Sequence, residues 1–385
     1  MSEHQGADRS TQPGLSRLGL RDFRNYAELQ LKLDGRHVVL FGPNGAGKTN
    51  ILEAVSFLSA GKGLRGADSG EAARHGASGG WGISADVLRG GVRQRLFMAL
   101  EGAETGRFRK VVKLDGHPAS HGDFADLVRV IWLTPAMDRV FGGSAGDRRR
   151  FFDRLVLAQF PAHGAAASIY ERSMRERNAV LEPERRDEGW LEALEGRMAD
   201  AGAAMAEFRC RAAVRLQAAI DLRVGAEFPK ADVQLIGEWE GLIARGDPRH
   251  RVEEGIRQAL RSSRVRDAAA GRTLRGVHRT DWKVIHRPTG APAEECSTGQ
   301  QKALLIGLIL ANARSLFEGD FGPDPLLLID EGAAHLDSHR RAALYDELAA
   351  LGGQAWLTGT DRELFDAFGT RAQRFLVSEG TVREI

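Results

Sequence analysis

The chain has 385 residues and only two cysteines, Cys210 and Cys296, which lie far apart. Two cysteines cannot build a disulfide framework, and no metal-ligand spacing surrounds them, so a zinc site is excluded. A reducing, cytoplasmic setting fits. No apolar run approaches the roughly 20 residues that a membrane span requires, and no membrane partner is expected. The opening "MSEHQGADRSTQPG" lacks the apolar core of a secretory signal and reads as a disordered tail, residues 1–14. An excess of one charge is missing too. The 54 Lys and Arg face 52 Asp and Glu, a net charge of +2, too even to announce a nucleic-acid binder. Internal repeats are absent, as is low complexity beyond the tail. What remains is ordinary for a soluble protein with a real core: 42% hydrophobic and 28% charged residues. The length allows two or more domains, or one with a large insertion.

Residues 15–42, "LSRLGLRDFRNYAELQLKLDGRHVVLFG", alternate apolar and polar positions and close on an apolar run. This pattern predicts strands, the last of them buried. "KTNILEAVSFLSAG" (48–61) predicts a helix after a glycine-rich turn. "WGISADVL", "RQRLFMAL" and "RKVVKLDG", within 81–115, predict antiparallel strands. From about 147 to 222 the pattern is helical. Leu191, Leu194, Met198, Ala201, Met205, Phe208 and Ala212 step by three and four, a heptad-type stripe. Tyr170 and Met174 lie on an earlier helix, and "EPERRDEG" (182–189) turns the chain between the two. The pair fits a short antiparallel arm and an ordinary small bundle equally well. Residues 223–270 are mixed. "TDWKVIH" (280–286) returns to strand, and the chain from 325 onward alternates strand and helix, the mark of a largely parallel α/β sheet.

Three motifs carry chemistry. "GPNGAGKT" (42–49) fits G-x-x-x-x-G-K-[ST] between a buried strand and a helix, the setting a phosphate-binding loop requires. Gly42, Gly45 and Gly47 free the backbone amides to wrap phosphates, with Pro43, Asn44, Ala46 and Asn50 completing the loop. Lys48 can neutralise the β and γ phosphates, and Thr49 can offer its hydroxyl to Mg²⁺. "PLLLIDE" (325–331) is a buried strand ending in two carboxylates at the edge where ligands bind in open α/β sheets. Asp330 is placed to hold Mg²⁺, and Glu331 to polarise an attacking water. "CSTGQQKAL" (296–304) puts a polar mouth before a buried helix. Ser297 or Thr298 can cap that helix, and Gly299 lets a ligand approach its amides. Taken alone it is more simply a capped core helix than an anion site. The basic clusters "DRRRFFDRL" (147–155) and "RSMRERN" (172–178) are first of all solvated faces.

Together the P-loop, "STGQQK", "LLLIDE" and the following "HLD" form the Walker A, signature, Walker B and D-loop series of ABC-type ATPases. "LRDFRNY" (20–26), "GKGLRG" (61–66), "GSAGDRRRFFDRL" (143–155), "GVHRTDW" (276–282) and "QAWLTGTD" (354–361) narrow the match. The chain resembles the RecF family of bacterial recombination and repair proteins, SMC-like ATPases with a short helical arm. The resemblance implies an α/β fold: an ABC-type P-loop head with a mixed, largely parallel sheet and an inserted helical domain. The head would take residues 15–146 and 271–385, the insertion 147–270. The resemblance further implies ATP and Mg²⁺ as cofactors, an ATP-dependent homodimer, DNA binding at gaps, and slow DNA-stimulated hydrolysis. Its implied partners are RecO and RecR, in a pathway that loads RecA on SSB-coated strands.

By position, Lys48, Thr49 and Asp330 would hold nucleotide and metal, and Glu331 would be catalytic. Arg24 and Asn25 would lie beside the nucleotide, and Arg65 matches a basic position after the first helix. Ser297, Gly299 and Gln300 would face the nucleotide of a second copy, and Asp337 the dimer interface. Cys296 and His335 depart from the usual pattern, as do Thr358 and Thr360 where a switch histidine is familiar. The competing reading is another ABC-type subunit, from a transporter or another SMC-like head. The long stretch between Thr49 and Ser297 disfavours the transporter.

Overall fold

The computed structural model describes residues 14–385 apart from 60, 62, 67, 68, 78, 79, 90, 103–107, 183–186, 226, 318–321 and 335. It divides into two compact units. Unit 1 joins the chain up to Pro135 with Ala313–Ile385, and unit 2 is Ala136–Asn312. Unit 2 is thus wider at both ends than the expected insertion, 147–270. No helix among the described residues is long and apolar enough to cross a membrane.

Unit 1 opens with β1 (Gly14–Phe23), β2 (Tyr26–Lys32), β3 (His37–Phe41) and α1 (Lys48–Ser56). Then come β4 (Gly80–Arg89), β5 (Val92–Gly102), β6 (Phe108–Leu114), β7 (His117–Pro118) and β8 (Arg129–Leu133). Unit 2 holds α2 (Ala145–Gln159), α3 (Ala162–Val180), α4 (Glu188–Leu222), β9 (Ala231–Ile236), α5 (Glu238–Ala244) and α6 (Arg249–Ala270). It continues through β10 (Asp281–His286) and β11 (Ala291–Pro292) into α7 (Thr298–Phe317). Unit 1 resumes with β12 (Pro325–Ile329), α8 (Ser338–Leu351), β13 (Ala355–Gly359), β14 (Ala372–Ser378) and β15 (Thr381–Glu384).

Two sheets make unit 1. One is antiparallel, in the order β2-β1-β4-β5-β6-β7. Towards its edge, β2 alternates because one face is packed and the other solvated, whereas the inner strand β4 is buried along most of its length. The other runs β15-β14-β3-β13-β12-β8 and is parallel except at β15. Three of its inner strands, β3, β12 and β13, are buried at every position, so they read as apolar runs rather than alternations. Leu18, Leu20, Ile83 and Met98 of the first sheet share a core with Val38, Leu328 and Trp356 of the second and with Ile51, Leu52 and Val55 of α1. Gly14, assigned by sequence to the tail, is already the first residue of β1.

In unit 2, α3 and α6 both pack antiparallel along α4: Arg177 meets Glu195, Tyr170 lies by Gly202, and Arg249 meets Asp200. Tyr170, Met198, Met205, Trp239, Val252 and Ile256 fill the centre, so the helical pair is part of a bundle. The unclear stretch 223–270 holds α6, whose core positions Val252, Ile256 and Leu260 repeat every fourth residue among charged neighbours. Residues 271–312 join unit 2 because β10 pairs with β9 and Trp282 stacks on Phe152 and packs against a tilted Phe151.

Two arginines of the basic clusters turn out to be structural. Arg148 makes paired bonds to Asp281 at 2.8 and 2.7 Å. Arg177 is fully buried and donates to Glu195, Asp267, Thr273 and the Leu260 carbonyl. A buried guanidinium needs such partners to offset its lost hydration.

Candidate nucleotide-binding site

The loop 42–49 bridges the carboxyl end of β3 and the first turn of α1. Its glycines answer to definite demands. Gly42 has φ 144°, and a Cβ there would stand 2.1 Å from the Val377 carbonyl oxygen. Gly47 has φ 113°, and a Cβ would strike Asn25 Nδ2 at 2.4 Å and the Tyr26 hydroxyl at 2.6 Å. Pro43, Asn44 and Gly45 are exposed, and nothing lies within 4 Å of a Cβ built on Gly45. The loop is therefore tight behind and open in front. Lys48 is buried, and its Nζ donates to the Gly42 and Pro43 carbonyls at 2.7 and 2.9 Å. Burial lowers its pKa, opposed by the charges of Glu331, Asp330 and Asp361. A lysine so placed, with the free amides of α1, offers phosphate oxygens a positive cradle.

Strand β12 brings in the carboxylates. The Thr49 hydroxyl lies 2.9 Å from Asp330 Oδ1 and 3.0 Å from Oδ2. A hydroxyl beside a carboxylate is a hard-oxygen pair that fits Mg²⁺, which keeps waters and phosphate oxygens for the rest of its shell. Among the described residues no cluster of three or more His, Cys, Asp or Glu offers another metal site. Glu331 follows with φ 50°, a left-handed conformation that costs a residue other than glycine about 1 kcal/mol or more. Its carboxylate makes no hydrogen bond among the described residues, while its amide donates to Thr358 Oγ1 at 2.9 Å.

Thr358 was noted in the sequence only as a departure. It donates to Asp330 Oδ1 at 2.7 Å, so one hydroxyl aligns both carboxylate residues. The register of β12 on β13 pairs Ile329 with Leu357 and makes Asp330 and Thr358 neighbours. A threonine at the end of an adjacent parallel strand was the available signal. Thr360 instead bonds Asp361 at 2.6 Å.

Arg24 and Asn25 are both at the loop, in supporting positions. Arg24 binds the buried Glu53 of α1 through Nε and Nη2, at 2.8 and 2.6 Å, and donates to the Glu71 carbonyl. Arg65 reaches the same carboxylate at 3.2 Å and donates to Asn50 Oδ1 at 2.9 Å. Asn25 donates to the Ala46 carbonyl at 3.1 Å and accepts from Asn50 at 2.7 Å. Sequence reasoning missed Glu53, which looks like any helix glutamate until its two arginine partners are seen.

The signature residues lie in unit 2 and are satisfied locally. Ser297 Oγ accepts from the Gln300 amide at 3.3 Å, and Gln300 Oε1 accepts from the Ser297 amide at 3.0 Å. That reciprocal pair is a capping box. Ser297, Thr298 and Gly299 remain exposed, with open space around Gly299. Lys302, one turn on, is buried on Asp138 at 3.2 Å. Asp337, in unit 1, caps α8 by accepting from the Arg340 amide at 2.8 Å, which lowers its pKa. His335 lies outside the described residues.

An AAA-domain family model matches residues 17–93. The DNA replication and repair protein RecF of Rhizobium etli is 50% identical over 372 residues, covering 96% of this chain and 98% of its own. That of Brucella suis is 51% identical over 378 residues, 96% of each chain. Among solved structures, the recombination mediator protein RecF-ATPrS in the RecFOR pathway aligns with a TM-score of 0.81 at 20% identity, over 97% of this chain and 98% of that one. The Smc head domain of Pyrococcus furiosus aligns with a TM-score of 0.53 at 13% identity, over 97% and 96%. These two likenesses establish the ABC-type head fold that the motifs implied. With half its residues shared along nearly its whole length, the chain belongs to the RecF family of DNA replication and repair proteins.

Proposed function

We propose that this protein is an ATP-dependent DNA-binding ATPase of recombinational repair and replication-fork maintenance, working in the cytoplasm. The observation that carries the reading is the Thr49–Asp330 contact at 2.9 Å, which joins a P-loop to a Walker B strand far along the chain. Gly42–Asn50 wrap the triphosphate, and Lys48 balances its charge. Thr49 and Asp330 hold Mg²⁺, whose chemistry is to neutralise charge developing on the phosphates. Glu331 takes the proton of the attacking water, and Thr358 holds Asp330 and Glu331 in register. Arg24 and Asn25 steady the loop from behind.

Ser297, Gly299 and Gln300 of one copy complete the nucleotide site of another, with Asp337 at the interface, so ATP closes a homodimer. The exposed mouth of α7 supports this: its cap is satisfied internally, and its outer side is open. The relatives' names support a role in DNA replication and repair, and a solved neighbour's names the RecFOR pathway; in our reading the protein works at DNA gaps with RecO and RecR, where RecA is loaded on SSB-coated strands. Hydrolysis is slow and stimulated by DNA.

The test is single-turnover ATP hydrolysis with and without DNA, joined to sizing with ATP and Mg²⁺. Lys48→Ala loses both ATP and the dimer, whereas Ser297→Arg keeps ATP and loses the dimer. No turnover of the wild type in either condition would overturn the ATPase reading. Normal dimerisation of Ser297→Arg would overturn the shared site.

A further inference from the structure

The solvent face of the antiparallel sheet carries charge that the nucleotide site does not use. Its register sets Lys32 of β2, Arg17 of β1, Asp86 of β4 and Arg95 of β5 side by side across four strands. At the usual strand spacing this row spans about 14 Å. With Arg93 it lines a groove whose other wall holds Phe375, Val382 and Glu384 of the second sheet. Four cations face two carboxylates there. Asp86 is 5% exposed and already neutralised by Arg95 at 3.1 Å. Arg17 donates twice to Gln30 Oε1, at 3.1 and 2.8 Å, which fixes its guanidinium without cancelling its charge. Lys32 and Arg93 are exposed and have no acidic partner among the described residues. Glu384 accepts from Gln373 at 2.8 Å. In a protein whose net charge is only +2, this surplus is local.

The chemistry of the groove selects its occupant. A protein partner draws most of its affinity from apolar or aromatic anchors, yet Leu31, Leu33 and Phe375 here are buried and Val382 is half-buried. Arginines matched to oxyanions, with no exposed aromatic anchor in the lining, suit phosphates. We propose that this groove is a contact site for the sugar-phosphate backbone of DNA, read without regard to base sequence. The inference rests on the DNA-binding reading above and assigns it a surface.

The test is binding of a fluorescently labelled DNA duplex to the full chain with ATP, followed against salt. Lys32→Gln with Arg93→Gln is the chosen variant, because neither side chain holds a carboxylate in place, whereas losing Arg95 would strand Asp86. Two lost phosphate contacts should lower the slope of log affinity against log salt by about 2 and weaken binding tens-fold near 0.1 M salt. ATP hydrolysis without DNA and the melting temperature should be unchanged, and Lys32→Arg with Arg93→Lys should restore the slope. A wild type that binds no duplex overturns the DNA reading and the groove together. A wild type that binds, with an unchanged slope in the glutamine variant, overturns the groove alone. Polyglutamate displacing the duplex at equal charge would assign the groove to an acidic protein surface and likewise overturn the proposal.

Discussion

The P-loop and the signature turn are both helix starts marked by glycine and hydroxyl residues, yet their polar groups are engaged differently. At the P-loop Lys48 bonds the loop's own carbonyls, but the other side-chain partners come from far away: Asp330 for Thr49, Thr358 for Asp330, Asn25 for Ala46, Arg24 for Glu53. At the signature turn Ser297 and Gln300 satisfy each other within one turn, and the outer side stays exposed. The first is pre-organised by its own fold. The second is a finished helix cap that presents a free surface, which is what a site completed by another molecule requires.

The sharpest way to separate the halves is through Glu331. Replacing it with Gln keeps its size and removes the base. Single-turnover hydrolysis should fall about 100- to 1,000-fold, with ATP still bound and the dimer persisting on sizing. Unchanged turnover would remove Glu331 from the chemistry. Next in size is the buried network of unit 2. Arg177→Met leaves the buried Asp267 without its cation, while Glu195 keeps Arg264, and should cost about 3–5 kcal/mol of that unit's stability in urea unfolding. A cost well below that would mean the acids find other partners.

Acid probes both units through one histidine each. Burial lowers the pKa of His37 in unit 1 to about 4, aided by the charge of Arg371. Burial likewise lowers His278 in unit 2 to about 4. Burial holds both neutral: His37 Nδ1 also accepts from the Ala355 amide at 3.1 Å, whereas the bond of His278 to the Thr273 carbonyl opposes the shift without cancelling it. As pH falls, the unfolded chain takes up these protons first. The stability is therefore complete above pH about 6.5 and declines towards pH about 4, by up to about 3 kcal/mol for each histidine. Unfolding measured across that range should be flatter in His37→Asn and in His278→Asn. An unaltered profile would contradict the buried neutral state. The smallest effect belongs to the cap: Ser297→Ala should cost about 1 kcal/mol, read by thermal melting, and no loss would show that Gln300 alone suffices.

Much of unit 1 was legible because its signals are local. A glycine loop between an apolar strand and a helix, and a strand ending in Asp-Glu, state their chemistry through spacing. Alternation in β1, β2 and β5 follows from sheet faces with one side in water. Less of unit 2 was legible. The helix α6 hides a fourfold apolar repeat among arginines and glutamates, and its neighbours α3 and α4 supply the reason for that repeat. The arginine clusters misled for a related cause: charge run by charge run, Arg148 and Arg177 look solvated, and only carboxylates from other elements show that Arg177 is buried and Arg148 half-buried in an ion pair.

By itself the sequence determined the phosphate loop, the carboxylates of β12 and the capped mouth of α7, since each rests on neighbours a few residues apart, and the order of such motifs along the chain pointed to the family. The tertiary structure alone decided that Thr358 aligns Asp330 with Glu331, that Glu53 binds Arg24 and Arg65, and that cations of three strands gather in one groove. Those outcomes depend on strand register and helix packing, which bring together residues that no local pattern relates.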